Sequence, residues 1–214
     1  VSKEIFGIHR LAGEGDNKKA EFGLHFDLTL PTARYTADNF AKLQFPFKRY
    51  QIQKVWRGER PQKGRYREFY QADIDVIGDG ELPLHYEAEV VQVIYDIFTQ
   101  LNVGDFTVKI NNRKLLEGLY RQQGVDDMNA TLIIVDKIDK IGKEEVVRLL
   151  VESGLSLEQS TFCAELAEKK FPLSQALEFI EDLDTSDELL ATAKTELQTI
   201  FNNLSLLPDG AVVF

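Results

Sequence analysis

Hydrophobic and polar residues alternate along residues 48–59 and again along residues 66–78. A period of two is that of a pleated strand, whose successive side chains leave opposite faces. Both runs are rich in aromatic and β-branched residues, and together they predict a long β-hairpin. On the first arm Gln51, Gln53, Val55, Arg57 and Glu59 share one face, and Tyr50, Ile52, Lys54 and Trp56 the other. On the second arm Tyr70, Ala72, Ile74 and Val76 are the expected core face. That leaves Phe69, Gln71, Asp73 and Asp75 opposite, with an amide and two carboxylates in a row.

Upstream, residues 4–9 predict a short strand. Residues 12–20, rich in Gly, Asp, Asn and Lys, predict a turn. Residues 22–30 alternate cleanly, with Leu24, Phe26, Leu28 and Leu30 on one face and His25, Asp27 and Thr29 on the other. From pattern alone, that polar face is a solvent-exposed one and His25 is structural. Pro31 then opens a helix, its apolar stripe being Ala33, Ala37, Phe40 and Leu43.

Downstream, residues 78–83 read as a loop. Residues 87–101 place Val90, Val91, Ile94, Ile97, Phe98 and Leu101 at helical spacing, and Phe106, Val108 and Ile110 alternate as a strand. At Asn112 the texture changes to short helices: one capped by Asn112 and ended at Gly124, then 132–141, 144–151, one started by a capping box at Ser156 and Gln159, and 173–180. A longer helix over 186–204 follows, with Leu189, Leu190, Ala193, Leu197, Ile200 and Phe201 facing its core, and residues 207–210 turn back toward the sheet. The expected fold is α+β, a largely antiparallel sheet with flanking helices. Residues 1–111 and 184–214 form its core, and residues 112–183 a small all-α insertion module.

Composition narrows the functional classes. The chain has 214 residues, 43% of them hydrophobic, enough for one or two domains with a real core. A single cysteine, Cys163, permits no internal disulfide and fits a reducing cytosol; it reads as a small buried helix residue, not a nucleophile. No signal peptide or membrane-length apolar run is evident, so a cytoplasmic protein without a membrane partner is expected. A net charge of −10 argues against a bulk-basic nucleic-acid binder, and no DNA partner is expected. Residues 1–111 hold 15 basic and 16 acidic residues, residues 112–214 hold 10 and 19, so RNA contact must rest on local patches. There is no Gly-rich phosphate loop and no Cys/His zinc spacing, so no protein-held metal is expected. The abrupt start at Val1 and the strand-like ending at residues 211–214 are those expected of a piece of a longer protein.

One local patch is the hairpin tip, where Arg60, Lys63, Arg65 and Arg67 surround Pro61 and Gly64. Such charges cannot enter a core unpaired. Guanidinium groups bind phosphate through two parallel hydrogen bonds, which favours a basic loop over a nucleotide or nucleic acid. A solvated turn carrying charge for solubility is the other reading.

Longer stretches carry a resemblance. Phe47-Lys48-Arg49-Tyr50, the run from Trp56 through Arg57, Gly58, Glu59, Arg60, Pro61, Gln62, Lys63, Gly64, Arg65, Tyr66, Arg67 and Glu68 to Phe69, and then Gln71 and Asp75, resemble motif 2 of class II aminoacyl-tRNA synthetases, in particular histidyl-tRNA synthetases. The segment from Phe26 to Tyr35 is similar to the one that contacts the amino acid there, with Asp27, Leu28 and Thr29 at matching positions; many members have Glu where Asp27 and Asp75 stand. An insertion beginning near Asn112 also matches that family, where it approaches the acceptor stem.

The resemblance implies a class II synthetase-like sheet and an ATP-dependent activation of histidine followed by transfer to tRNA(His). By the same resemblance Arg57 would contact the α-phosphate as the catalytic residue, Glu59 the adenine side or the loop, and Arg65 the outer phosphates. Asp27, Leu28, Thr29, Gln71 and Asp75 would hold histidine. ATP with Mg2+, histidine, the acceptor end of tRNA(His) and a second subunit of a homodimer are the implied partners. Motif 1, motif 3 and the family's further histidine-binding segment are not found in this sequence, so this chain alone is expected to be inactive. Three other readings stay open: a histidine-sensing regulatory paralogue of a biosynthetic transferase, a structural fragment without separate function, and a generic RNA-binding protein, which the acidic total disfavours.

Overall fold

Ten residues on each arm, Phe47–Trp56 (β3) and Glu68–Ile77 (β4), pair antiparallel from Phe47↔Ile77 to Trp56↔Glu68, so the predicted hairpin forms in full register. The structure is a computed structural model and describes residues 4–9, 20 and 22–214. The chain divides into two compact units, residues 1–82 and 83–214. The predicted turn over 12–20 lies, apart from Ala20, outside the described residues.

In the first unit Gly7–Ile8 (β1) pairs antiparallel with Phe22–Gly23 (β2), and Leu24 N donates to Phe6 O at 2.9 Å. Both strands are shorter than their alternation predicts. The second gives way because the helix Thr29–Asn39 (α1) starts two residues before Pro31. Pro31 thus sits within the first turn, where its missing N–H is tolerated. The predicted stripe of α1 is not the covered face: Thr32 and Thr36 are buried, while Ala33, Ala37 and Phe40 are exposed.

Toward the hairpin tip the faces also depart from the expectation, although Ile74 and Val76 are half-buried. Tyr50 is 78% exposed and Tyr70 68%, with Ile52 and Ala72 open beside them. The polar face of Arg49, Gln51, Gln53, Arg57, Gln71, Asp73 and Asp75 is half-buried instead, around a fully buried Val55. Alternation separates two faces of a strand but says nothing of which is covered. Here residues 24–28 lie along the polar one: His25 O accepts from Trp56 N at 2.7 Å, Phe26 O from Arg57 Nε at 3.2 Å and Leu28 O from Arg49 Nη2 at 3.1 Å. Gly58 completes this edge, its N–H donating to Glu4 O at 2.7 Å; a Cβ there would sit 3.0 Å from that oxygen, which is why the position carries glycine.

In the second unit His85–Leu101 (α2) ends on Asn102 in the left-handed region at φ 49°. Its stripe is covered at Val90, Val91 and Ile94 but open at Ile97, Phe98 and Leu101. The strand expected over 106–110 reduces to Val108–Lys109 (β5), which pairs parallel with Val212–Val213 (β6). Between them run Arg113–Gln122 (α3), Met128–Val135 (α4), Ile138–Ile141 (α5), Lys143–Glu152 (α6), Leu157–Glu168 (α7), Leu173–Glu181 (α8) and Glu188–Leu204 (α9). The helix expected over 132–141 is broken in two at Asp136 and Lys137. Asn112 caps α3 by accepting from Leu115 N at 3.1 Å, and both arms of the Ser156/Gln159 capping box are present.

Two apolar clusters hold this unit. One joins α2, α3, α8 and α9 through Ala88, Leu115, Leu119, Ile180, Leu190, Leu197 and Phe201. The other, around Tyr120, Val146, Leu150 and Cys163, lies within α3 to α7. The fold is α+β. Among the described residues no helix is long and apolar enough to cross a membrane.

Candidate active site

The half-buried face of the hairpin carries two hydrogen-bonded polar runs side by side, and strand register builds them. Arg49 lies opposite Asp75, Gln51 opposite Asp73, and Gln53 opposite Gln71. Arg49 Nη2 approaches Asp75 Oδ2 at 2.6 Å, and its Nη1 donates to Gln51 Oε1. Gln51 Nε2 donates to Gln53 Oε1 at 2.5 Å, and Gln53 Nε2 meets His25 Nδ1 at 3.2 Å.

Beyond the last rung Arg57 enters the same face. Its guanidinium lies over the ring of Phe26 at 4.8 Å and of Phe69 at 5.1 Å, a cation between two aromatic faces. Nε donates to Phe26 O, and Nη2 reaches Gln71 Oε1 at 3.4 Å. Gln71 Nε2 in turn donates to Asp73 Oδ2 at 3.0 Å, which sets which end of the amide faces the arginine. Arg57 is thus the only hairpin arginine with ring contacts recorded among the described residues.

The connecting loop folds back on itself. Gln62 and Arg65 exchange backbone hydrogen bonds at 3.2 and 2.8 Å, and Arg57 N donates to Arg67 O at 2.9 Å. Arg65 Nη1 lies 3.3 Å from Glu59 Oε2, and Arg67 Nε donates to Glu59 O at 3.2 Å. Arg60, Lys63, Arg65 and Arg67 are all exposed. On the outer face Glu68 accepts from Lys54 at 2.6 Å and from Trp56 Nε1 at 2.8 Å; these bonds, the one from Lys54 first, hold its carboxyl below the usual range.

The residues picked from sequence fall as follows. Arg57 and Gln71 touch each other, and Glu59 and Arg65 pair at the loop. Leu28 is fully buried, with its carbonyl taken by Arg49 and by the Thr32 hydroxyl at 2.8 Å. Asp27 accepts from Leu30 N at 3.3 Å and so helps start α1, on which Thr29 is the exposed first residue. Asp75 is joined to Arg49. Sequence reasoning did not select Arg49, Gln51, Gln53, His25 or Asp73 for the site. The signal was available, since all but His25 sit on the strand face that carries Arg57, Gln71 and Asp75.

A family model described as Histidyl-tRNA synthetase matches residues 10–213. The chain belongs to the histidyl-tRNA synthetase family. It is 45% identical over 215 residues to a histidine–tRNA ligase of Thermobifida fusca and 44% identical over 227 residues to that of Micrococcus luteus, in each case over 100% of this chain and 49% of the relative. The chain therefore spans about half the length of the curated relatives it matches. Among solved structures, histidyl-tRNA synthetase from Nostoc sp. PCC 7120 superposes with a TM-score of 0.84 at 30% identity, over 97% of this chain and 47% of that one. An ATP phosphoribosyltransferase regulatory subunit/histidyl-tRNA synthetase from Bacillus halodurans superposes at 0.74 with 19% identity, a likeness of fold alone.

Proposed function

We propose that the full-length protein is a histidine–tRNA ligase. In the first step a carboxylate oxygen of histidine attacks the α-phosphorus of ATP and the bond to the bridging oxygen breaks, giving histidyl-adenylate and pyrophosphate. In the second a hydroxyl of the terminal ribose of tRNA(His) attacks the acyl carbon and AMP leaves. The carrying observation is the guanidinium of Arg57, held between Phe26 and Phe69 and tied to Phe26 O and Gln71. A cation fixed before the reaction stabilises the extra negative charge of a pentavalent phosphorus without reorganising.

In this reading Arg57 contacts the α-phosphate, Glu59 orients the loop beneath the adenine, and Arg65 reaches the outer phosphates. Asp27, Leu28, Thr29, Gln71 and Asp75 form the histidine end, with a carboxylate for the ammonium group. Magnesium enters with ATP as the MgATP substrate, where it shields the phosphate charge. Residues 112–183 are the inserted module on a core of 1–111 and 184–214, directed at the acceptor end of the tRNA. The full-length protein is a cytoplasmic homodimer without a DNA or membrane partner.

A histidine-sensing regulatory paralogue would use the histidine end alone and would have no need of an oriented arginine followed by a basic loop. The presence of both favours the ligase. Histidine-dependent exchange of pyrophosphate into ATP by the full-length protein tests the reading. Arg57→Ala is expected to lower the exchange rate about a hundredfold or more. Full exchange by that variant would overturn the assignment.

A further inference from the structure

We infer that Arg49 is the positioning residue of the amino-acid end of the site, fixing Asp75 and residues 27–29 in one arrangement. This rests on the reading above that Asp27, Thr29 and Asp75 hold histidine. Arg49 and Asp75 face each other in the register of β3 and β4, with side chains only 12% and 23% exposed. The same Nη2 that lies 2.6 Å from Asp75 also donates to the carbonyl of Leu28, the residue between Asp27 and Thr29. Leu28 is itself immobilised by complete burial. One guanidinium therefore links the strand that carries one proposed ligand carboxylate to the segment that carries the other.

The Arg49–Asp75 contact is a close, largely buried ion pair. Asp75 Oδ2 is shielded from solvent, and Arg49 is the partner the structure gives it among the described residues. A carboxylate held by a guanidinium at one oxygen keeps acceptor capacity for a donor arriving with the substrate. The α-ammonium group of an amino acid is such a donor.

Arginine, not lysine, is required for this task. A forked, planar guanidinium reaches Asp75, Leu28 O and Gln51 together, whereas an ammonium group is a single point. Gln51, bonded to Arg49 Nη1 and to Gln53, and Gln53, which meets His25, hold the fork from behind. The positive charge of Arg49 by itself opposes the binding of an ammonium ion. A purely electrostatic role and a positioning role therefore predict opposite effects when that charge is removed.

The test is the full-length protein in histidine-dependent pyrophosphate exchange, with KM for histidine, KM for ATP and kcat measured separately. Asp75→Asn should raise the histidine KM tenfold or more, as expected for a lost charged hydrogen bond of about 1.5–3 kcal/mol. Arg49→Lys and Arg49→Met should each raise it by about tenfold, with the ATP KM within about twofold of wild type. The Arg49→Lys/Asp75→Asn double variant should be no worse than Asp75→Asn alone, because the two act as one unit. Gln51→Leu, which loosens the fork and leaves the ion pair, should raise the histidine KM a few-fold and keeps the test open should Arg49 variants not fold.

An unchanged or lowered histidine KM in Arg49→Met, with Asp75→Asn strongly impaired, would overturn the role of Arg49 and leave the histidine site standing. Equal rises in both KM values would likewise overturn it. An unimpaired Asp75→Asn would overturn the histidine assignment of Asp75 itself, and the inference with it.

Discussion

Among the arginines of the hairpin, Arg57 is set apart by its surroundings. Arg60, Arg65 and Arg67 lie on an exposed loop, where a lone ion pair such as Arg65–Glu59 is worth roughly 0–1 kcal/mol. Arg57 is half-buried between two rings, and its direction is set by a carbonyl and an amide. The loop arginines are thus weakly held, whereas Arg57 is fixed in place, as the proposed contacts with outer and α-phosphates require. Cys163 is the contrasting case of a reactive group made inert. Burial pushes its thiol up to about 11, so the fold favours the neutral form. This contribution to stability is present in full below the usual thiol pKa and is lost as pH rises through about 11. At pH 8 iodoacetamide should therefore label Cys163 at the rate of unfolding, and in urea at the rate of a free thiol. Rapid labelling of the native chain would contradict its placement in the core.

At the scale of elements, α3 and α9 are held close by a residue without a side chain. A Cβ built on Gly118 would lie 2.5 Å from Cγ and Cδ2 of Leu190, itself fully buried. Gly118→Ala should destabilise the protein by about 1–3 kcal/mol through overpacking, and Leu190→Val in the same chain should recover part of it; both are read from urea unfolding. A gain in stability, as expected of a solvent-facing helical glycine, would contradict that packing. The hairpin, the capping box and the core face of α9 were legible in the sequence because each is set by local spacing and turn chemistry. What escaped was set from a distance. The alternation of residues 22–30 is real, yet Asp27 and Pro31 start a helix there. The stripe of Ala33, Ala37 and Phe40 lost to Thr32 and Thr36, since a helix buries the face its neighbours touch. Tyr50 and Tyr70 are apolar by composition, but residues 24–28 cover the opposite face. The site followed the same rule. Arg57, Gln71 and Asp75 could be picked from the motif, and Arg49, Gln51 and Gln53 share one strand face in the sequence, whereas the contacts of Arg49 with Asp75 and of Gln53 with His25 need segments brought together from a distance.

At the scale of the whole molecule the acidic total and the basic loop belong to different tasks. The net charge of −10 is concentrated beyond residue 111, while the four cations at the hairpin tip are clustered within eight residues. Charge that is uneven in this way disfavours general nucleic-acid binding and leaves local recognition of phosphate intact. The first unit holds both ends of the proposed reaction on one strand face, Arg57 at the phosphate end and Asp75 at the amino-acid end, with Gln71 and Asp73 between them in the strand. Their joint use is the central claim, and it concerns a ligand that spans both. Calorimetric titration of the full-length protein with histidine and with a non-hydrolysable histidyl-adenylate analogue, each repeated on Arg57→Ala, measures it directly. The account predicts that the analogue binds tighter than histidine and that Arg57→Ala removes the gain while leaving histidine binding in place. Equal affinity for the two ligands, indifferent to Arg57, would contradict it and leave a protein that senses histidine without activating it.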